Sequence, residues 1–199
     1  MVFSVSSLVI SIIVILLYSV FLIIEVQSFP EKVLNLSSDK NVALKIEKMT
    51  KKINEKIGTY LMLKTFISIL LGIASWIIMI IMGLDFAAFW AALIVFLNFI
   101  PYIGSFLGVL FPVVMSLVQF GDSTHILWLL LALSLAQFVI GNFLDPYIMG
   151  NSLNLSPFAI LVCLAIWTEL WGMAGAFLAV PITAVLVLIF SEFSNTRAV

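Results

Sequence analysis

Residues 98–104 read Asn98-Phe99-Ile100-Pro101-Tyr102-Ile103-Gly104, and they interrupt an apolar block that runs from Phe86 to Val118. Pro101 lacks the backbone N–H that a helix needs, and Gly104 tolerates conformations that other residues avoid. The apolar pieces on either side, 87–99 and 105–118, each reach only about 20 Å as helices, short of the roughly 30 Å of a hydrocarbon core. The stretch therefore predicts a re-entrant helical hairpin broken at Pro101, with one long proline-kinked helix as the alternative.

A broken helix at membrane depth must face protein or water, because lipid cannot satisfy its freed amide and carbonyl groups. Transporters place interrupted helices of this kind at their solute sites. Asn98 stands directly beside the break. Its amide either faces a cavity or satisfies the freed backbone groups, and the sequence leaves both open.

The composition indicates an all-α polytopic membrane protein. Of the 199 residues, 64% are hydrophobic and only 10% are charged, too apolar for a soluble domain of this length. We expect about five transmembrane helices plus the re-entrant hairpin. The predicted segments are a transmembrane helix over 1–24, a cytoplasmic Lys-rich segment over 25–64, a membrane core over 65–192 (helices 65–82, 124–144, 157–170 and 173–190, hairpin 86–119) and a cytoplasmic tail over 193–199.

The basic residues are concentrated in one segment, since eight of the nine lie between Lys32 and Lys64. This excess places the segment on the cytoplasmic side of the membrane. Apolar residues recur every three or four positions from Val42 to Ile57, which predicts an amphipathic helix. It either lies on anionic lipid or packs, solvated, on its own bundle. The lysines predicted to face lipid are Lys45, Lys48, Lys51, Lys52 and Lys56.

Carboxylates without a basic neighbour in sequence are the candidates for chemistry. No Lys or Arg lies between Lys64 and Arg197, where the acidic residues are Asp85, Asp122, Asp145, Glu169 and Glu192. A carboxylate in low dielectric without a counter-charge takes up a proton or binds a cation, so intramembrane carboxylates are candidates for transport sites. Asp145 is the strongest, because it closes a helix that carries Gln137 and Asn142. Alternatively, Asp145 and Asn142 cap a helix end among the headgroups.

We therefore expect Asn98, Gln137, Asn142 and Asp145 to contact a transported solute, and Asp85, Asp122 and Glu192 to be solvated helix ends. Candidate hinges or helix breaks are Pro101, Gly104, Pro112, Pro146, Gly150, Gly172, Gly175 and Pro181. Catalytic residues, cofactors and a metal site are not expected, because the sequence has no His-Glu-x-x-His, Gly-x-Ser-x-Gly or P-loop motif and a single cysteine, Cys163. The lysines lack base-stacking aromatic neighbours, so nucleic-acid binding is not expected either.

Three motifs resemble the autoinducer-2 exporter (AI-2E) family. They are residues 98–104, then Gly141-Asn142-Phe143-Leu144-Asp145-Pro146-Tyr147-Ile148-Met149-Gly150, then Gly172-Met173-Ala174-Gly175-Ala176-Phe177-Leu178-Ala179-Val180-Pro181. Their order and spacing match the family, and the resemblance extends from about Phe21 to Phe190.

The resemblance implies a multi-pass protein of the inner (cytoplasmic) membrane that forms homo-oligomers. Some members are described as exporters of autoinducer-2, and others resemble sodium(lithium)/proton antiporters. Family members usually carry further helices before the part seen here, so we expect a partial chain. Two departures stand out: the family's glutamate before the proline is Asp145, and basic residues common nearby are replaced by Tyr147 and Asn151.

Three functions remain open from the sequence. The first is export of a small polar solute such as autoinducer-2, with or without proton coupling. The second is exchange of Na⁺ or Li⁺ for protons, which unpaired carboxylates favour. The third is a non-transporting scaffold whose Lys-rich helix recruits lipid or a protein partner.

Overall fold

The structure, a computed structural model, describes Leu17 and residues 40–149 and 156–192. Within these ranges the chain is helical apart from short turns, with no strand, so the all-α class is confirmed. The elements are α1 (Lys40–Ile81), α2 (Ala87–Leu97), α3 (Ile103–Phe120), α4 (Ser123–Val139), a π-helical turn (Ile140–Leu144), α5 (Asp145–Met149) and α6 (Pro157–Glu192). Apart from Leu17, the predicted helix 1–24 lies outside the described residues, as does the predicted tail 193–199.

The chain divides into two compact units, residues 1–52 and 53–199. In the first unit, Lys48, Lys51 and Lys52 are exposed, whereas Ile46 and Met49 are half-buried. This alternation agrees with the predicted amphipathic pattern, and contact with lipid stays a prediction. The side chain of Lys45 lies outside the described part, and Lys56, in the second unit, is half-buried.

Helix α1 joins two segments that the sequence analysis separates. The amphipathic segment ending at Ile57 and the membrane segment starting at Thr65 belong to one uninterrupted helix. The change from lysines to apolar residues changes whether the helix favours water or lipid. It does not interrupt the backbone, because no proline lies between the two segments and a single glycine, Gly58, is tolerated in a helix. The helix ends at Gly83 (φ 69) in a Schellman motif, in which Leu84 N–H donates to Met79 O.

The predicted break at Pro101 is present as a sharp reversal between α2 and α3. A Cβ added at Gly104 would overlap the carbonyl oxygen of Leu97, and one at Gly108 would lie 3.4 Å from Ile94 Cγ1. A later residue of α3 thus lies against an earlier residue of α2, so the two helices pack antiparallel. This geometry excludes the single proline-kinked helix.

The expectation that neither limb of this hairpin can span a membrane is wrong for the second limb. Helix α3 continues to Phe120 and passes through Pro112, which is buried, so its 18 residues reach about 27 Å and are long and apolar enough for a candidate membrane span. The first limb, α2, has only 11 residues and reaches about 16 Å. A re-entrant course therefore stays a prediction with support from α2 alone.

Four helical segments of the described part are long and apolar enough to cross a membrane: Ile46–Ile81, Ile103–Phe120, Ser123–Met149 and Pro157–Phe190. Large apolar side chains such as Phe66, Ile73 and Ile80 are exposed along α1. A surface of this kind is stable in hydrocarbon and costly in water. The protein is therefore an integral membrane protein.

Helix α6 contains a reversal at Gly172, whose backbone (φ 61, ψ −141) is non-helical. Trp167 Nε1–H donates to Thr183 Oγ1 at 3.1 Å across this turn. A Cβ at Gly175 would overlap the carbonyl oxygen of Trp167, so the two limbs pack closely. The chain turns where the sequence predicts it, and the second limb passes through Pro181 without interruption.

Candidate functional site: a polar cavity at the proline corner

A cavity of about 790 Å³ lies beside the Pro101 corner. All four candidate solute-binding residues line it: Asn98, Gln137, Asn142 and Asp145. They come from the end of α2, from α4, from the π-helical turn and from the first position of α5. The structure therefore brings together side chains that are up to 47 residues apart (145 − 98) in the sequence.

An ion pair at the cavity wall corrects the expectation that Asp145 has no counter-charge. Lys64 Nζ donates to Asp145 Oδ2 at 2.8 Å, and the two side chains are 11% and 19% exposed. Lys64 closes the predicted cytoplasmic segment in the sequence, whereas in the structure it lies at the cavity wall. Because both ions are largely withdrawn from water, the pair neutralises two charges that would each be costly alone.

Lys64 belongs to a polar stripe on α1 that the sequence analysis did not identify. Tyr60, Lys64 and Ser68 follow one another at intervals of four, so they share one face of the helix. All three are buried, and Tyr60 and Lys64 line the cavity. The recurrence of a polar residue at every fourth position, at the start of an apolar run, is the signal in the sequence that indicates this stripe.

Asn98 is fixed by a side chain of α1 and not by the backbone of the corner. Its Nδ2 donates to Ser68 Oγ at 2.9 Å, and both residues are buried. Asn98 also lines the cavity. Of the two roles left open by the sequence, the structure supports the one in which the amide belongs to a cavity wall.

Asp145 is not at a helix end, contrary to the expectation that α4 stops at Asp145-Pro146. The helical conformation continues through the π-helical turn into α5 and reaches Met149. Asn142 Nδ2 donates to Phe138 O at 3.1 Å, one turn back, and the Asp145 carboxylate binds Lys64. The prediction that these two side chains cap a helix end is therefore wrong.

The other acidic residues of the described membrane core lie outside the cavity. Asp122 is exposed and accepts hydrogen bonds from the N–H groups of Thr124 and His125, so it caps α4. Asp85 is exposed, and its N–H donates to Gln119 Oε1 at 2.8 Å. Glu169 is exposed as well, whereas the side chain of Glu192 and all of Gly150 and Asn151 lie outside the described part. Among the described residues, no three His, Cys, Asp or Glu side chains are grouped as a metal site.

A bundle of apolar helices with a polar cavity beside an interrupted helix defines a class, the polytopic membrane proteins built like transporters. Comparison with known sequences assigns the family: residues 1–195 match the AI-2E family transporter, and the chain belongs to that family.

Two relatives illustrate the relationship. The chain is 36% identical over 185 residues to a Borreliella burgdorferi protein named "Putative transport protein", covering 92% of this chain and 51% of the relative. It is 32% identical over 191 residues to the AI-2 transport protein TqsA of Escherichia coli, covering 95% of this chain and 54% of that protein. The chain thus spans about half the length of the curated relatives it matches. Their names indicate transport and mention no catalysis.

Proposed function

We propose that this chain carries the solute-binding part of a transporter that exports a small polar solute, such as autoinducer-2, across the inner membrane. The observation that supports this most is the cavity itself, where Asn98, Gln137, Asn142 and Asp145 meet. Its volume of about 790 Å³ lies in the range usual for sites that hold small molecules. The name of TqsA supports autoinducer-2 as the first solute to test.

The charge balance of the cavity favours a neutral solute. The charged residues among those that line the cavity are Lys64 and Asp145, and they neutralise each other. The remaining polar groups are amides and hydroxyls, which bind a hydroxyl-rich molecule by hydrogen bonds and leave no uncompensated charge. In this proposal the protein acts as a homo-oligomer surrounded by lipid, and proton coupling is an optional addition.

Exchange of Na⁺ or Li⁺ for protons is the second candidate. The sequence argument for it was an unpaired carboxylate, and the pairing of Asp145 with Lys64 removes that argument. Exchange in this protein requires that a cation displace the Lys64 ammonium from Asp145, whose side chain is 19% exposed. The scaffold hypothesis rests on the lysines of α1 and predicts that changes in the cavity have no effect.

The experiment is transport in everted vesicles that contain the full-length gene product. We expect autoinducer-2 to accumulate inside, and Asp145→Asn and Gln137→Ala to abolish accumulation. Asp122→Asn is the matched control, because it keeps the exposed cap of α4 and leaves the cavity unchanged. Proton flux triggered by Na⁺ or Li⁺ without solute accumulation supports the second candidate. Cavity variants that behave like wild type in both assays, with loss of function after charge reversal of the lysines from Lys45 to Lys56, support a scaffold.

A further inference from the structure

The π-helical turn Ile140–Leu144 immediately precedes Asp145. In this turn the N–H of Asp145 donates to Ile140 O, five residues back, where an α-helix would use Gly141 O. One additional residue is thereby accommodated before α5. Turns of this kind are rare and are frequently found at functional sites.

Pro146 follows the turn by two residues, and proline is one of the features that disturb a helix locally. In an α-helix its ring would collide with the carbonyl of Asn142, four residues back, and it has no N–H to offer that carbonyl. A wider turn before the proline moves the carbonyl away from the ring. Gly141 lies in the turn, and a Cβ added there would meet no atom within 4 Å, so close packing at Gly141 is not the cause of the turn.

The turn decides which residue faces Lys64. The residue bonded to Ile140 O is Asp145 in the π register and would be Leu144 in an α register. Conversion to the α register rotates Asp145 by about 100° and shifts it by about 1.5 Å along the axis. Such a rotation moves the carboxylate out of the position in which it lies 2.8 Å from Lys64 Nζ.

We propose that Pro146 is a positioning residue: it imposes the π-helical turn, and the turn directs Asp145 to Lys64 and so sets the neutral charge balance of the cavity. The inference rests on the proposed function only for the role of the cavity in transport. The geometry can be tested without any solute.

The test uses cysteine pairs in the Cys163→Ser background and a short bis-methanethiosulfonate cross-linker. One pair is Lys64→Cys with Asp145→Cys, and the other is Lys64→Cys with Leu144→Cys. With Pro146 present, the pair 64/145 reacts faster. With Pro146→Ala the preference inverts, and the pair 64/144 reacts faster. Pro112→Ala is the matched control, because α3 passes through Pro112 without a π-helical turn, and it keeps the original preference.

A retained preference for 64/145 after Pro146→Ala overturns the proposal, because the turn then persists without the proline. A third pair, Ser68→Cys with Asn98→Cys, reports whether each variant is folded, since these side chains are 2.9 Å apart in the wild type.

If the Pro146→Ala variant does not fold while Lys64 and Asp145 are both present, a second variant that exchanges the residues at positions 144 and 145 tests the proposal. Leu144→Asp, Asp145→Leu and Pro146→Ala combined place a carboxylate opposite Lys64 in the α register, so folding and transport recover. The same swap with Pro146 retained does not recover them. Absence of any recovery in the triple variant refutes the positioning role. Inverted cross-linking without an effect on transport leaves the positioning role intact and refutes the proposed function of the pair.

Discussion

Lys64 and Asp145, 81 residues apart in the chain, form an ion pair of 2.8 Å at the wall of the polar cavity. The pair connects the long helix α1 to the short helix α5. Opposite charges that are mostly withdrawn from water add little net stability compared with apolar side chains, but removal of one partner leaves the other charge uncompensated. The stability of variants that lack one or both charges therefore tests this contact independently of transport.

We expect Lys64→Met and Asp145→Leu to destabilise the protein individually, each by about 3 kcal/mol, the low end for buried pairs because Asp145 is still partly exposed. The double variant removes both charges, so it should recover most of the loss. Unfolding in mixed micelles measures the three values. Losses that simply add in the double variant contradict a direct interaction between the two residues.

Gly104→Ala should open the corner at Pro101. The added Cβ overlaps the backbone carbonyl of Leu97, which cannot move aside like a flexible side chain, so we expect a cost near the upper end of overpacking, about 3 kcal/mol. Gly108→Ala is the matched control one turn later, where the new Cβ makes an ordinary contact with Ile94 at 3.4 Å. It should be neutral or stabilise α3 by up to about 1 kcal/mol through helix propensity. Equal thermal stability of both variants would show that α2 and α3 are not in close contact at Gly104.

Ser68→Ala should weaken the cavity wall, because it leaves the buried Nδ2 of Asn98 without its partner. We expect a loss of about 1–3 kcal/mol, together with reduced transport if Asn98 contacts the solute. Ser116→Ala is a suitable control, since the buried Oγ of Ser116 has no hydrogen-bond partner within the described part of the chain. That change should be neutral or stabilising, and a larger loss at Ser116 than at Ser68 would contradict the assignment.

Trp167 and Thr183 hold the two limbs of α6 together by one hydrogen bond. Trp167→Phe removes the donor and Thr183→Val removes the acceptor with little change of shape. A double-mutant cycle should give a coupling of about 0.6 kcal/mol, the average for such bonds between membrane helices. A coupling near zero indicates that packing at Gly175 holds the limbs without help from this bond.

The sequence predicted those features that single residues impose locally. Pro101 and Gly104 interrupt an apolar block, and Gly172 interrupts another, so the reversals were visible from backbone chemistry alone. Polar side chains in apolar runs identified four of the residues that line the cavity. Family membership, expected from three motifs, is confirmed by the match over residues 1–195.

Other features depend on tertiary structure or on small energy differences between helix types. The partner of Asp145 lies 81 residues away, and no local pattern reports a contact over that separation. The sequence predicts a helix end at Pro146, because proline usually ends or kinks a helix, whereas in the structure one turn widens and the helix continues. The change from lysine-rich to apolar sequence within α1 predicts a boundary between two segments, but the helical backbone continues through it.

The reversal at Gly172 depends on the absence of an L-configured side chain at that position. Its backbone angles are unfavourable for L-residues, but their mirror image lies in the ordinary polyproline II region. A D-alanine placed at this position by semisynthesis should therefore preserve the reversal, whereas L-alanine should not. Since Ile160 and Val180, one from each limb, both line the cavity, a single achiral centre sets how two parts of that wall are placed.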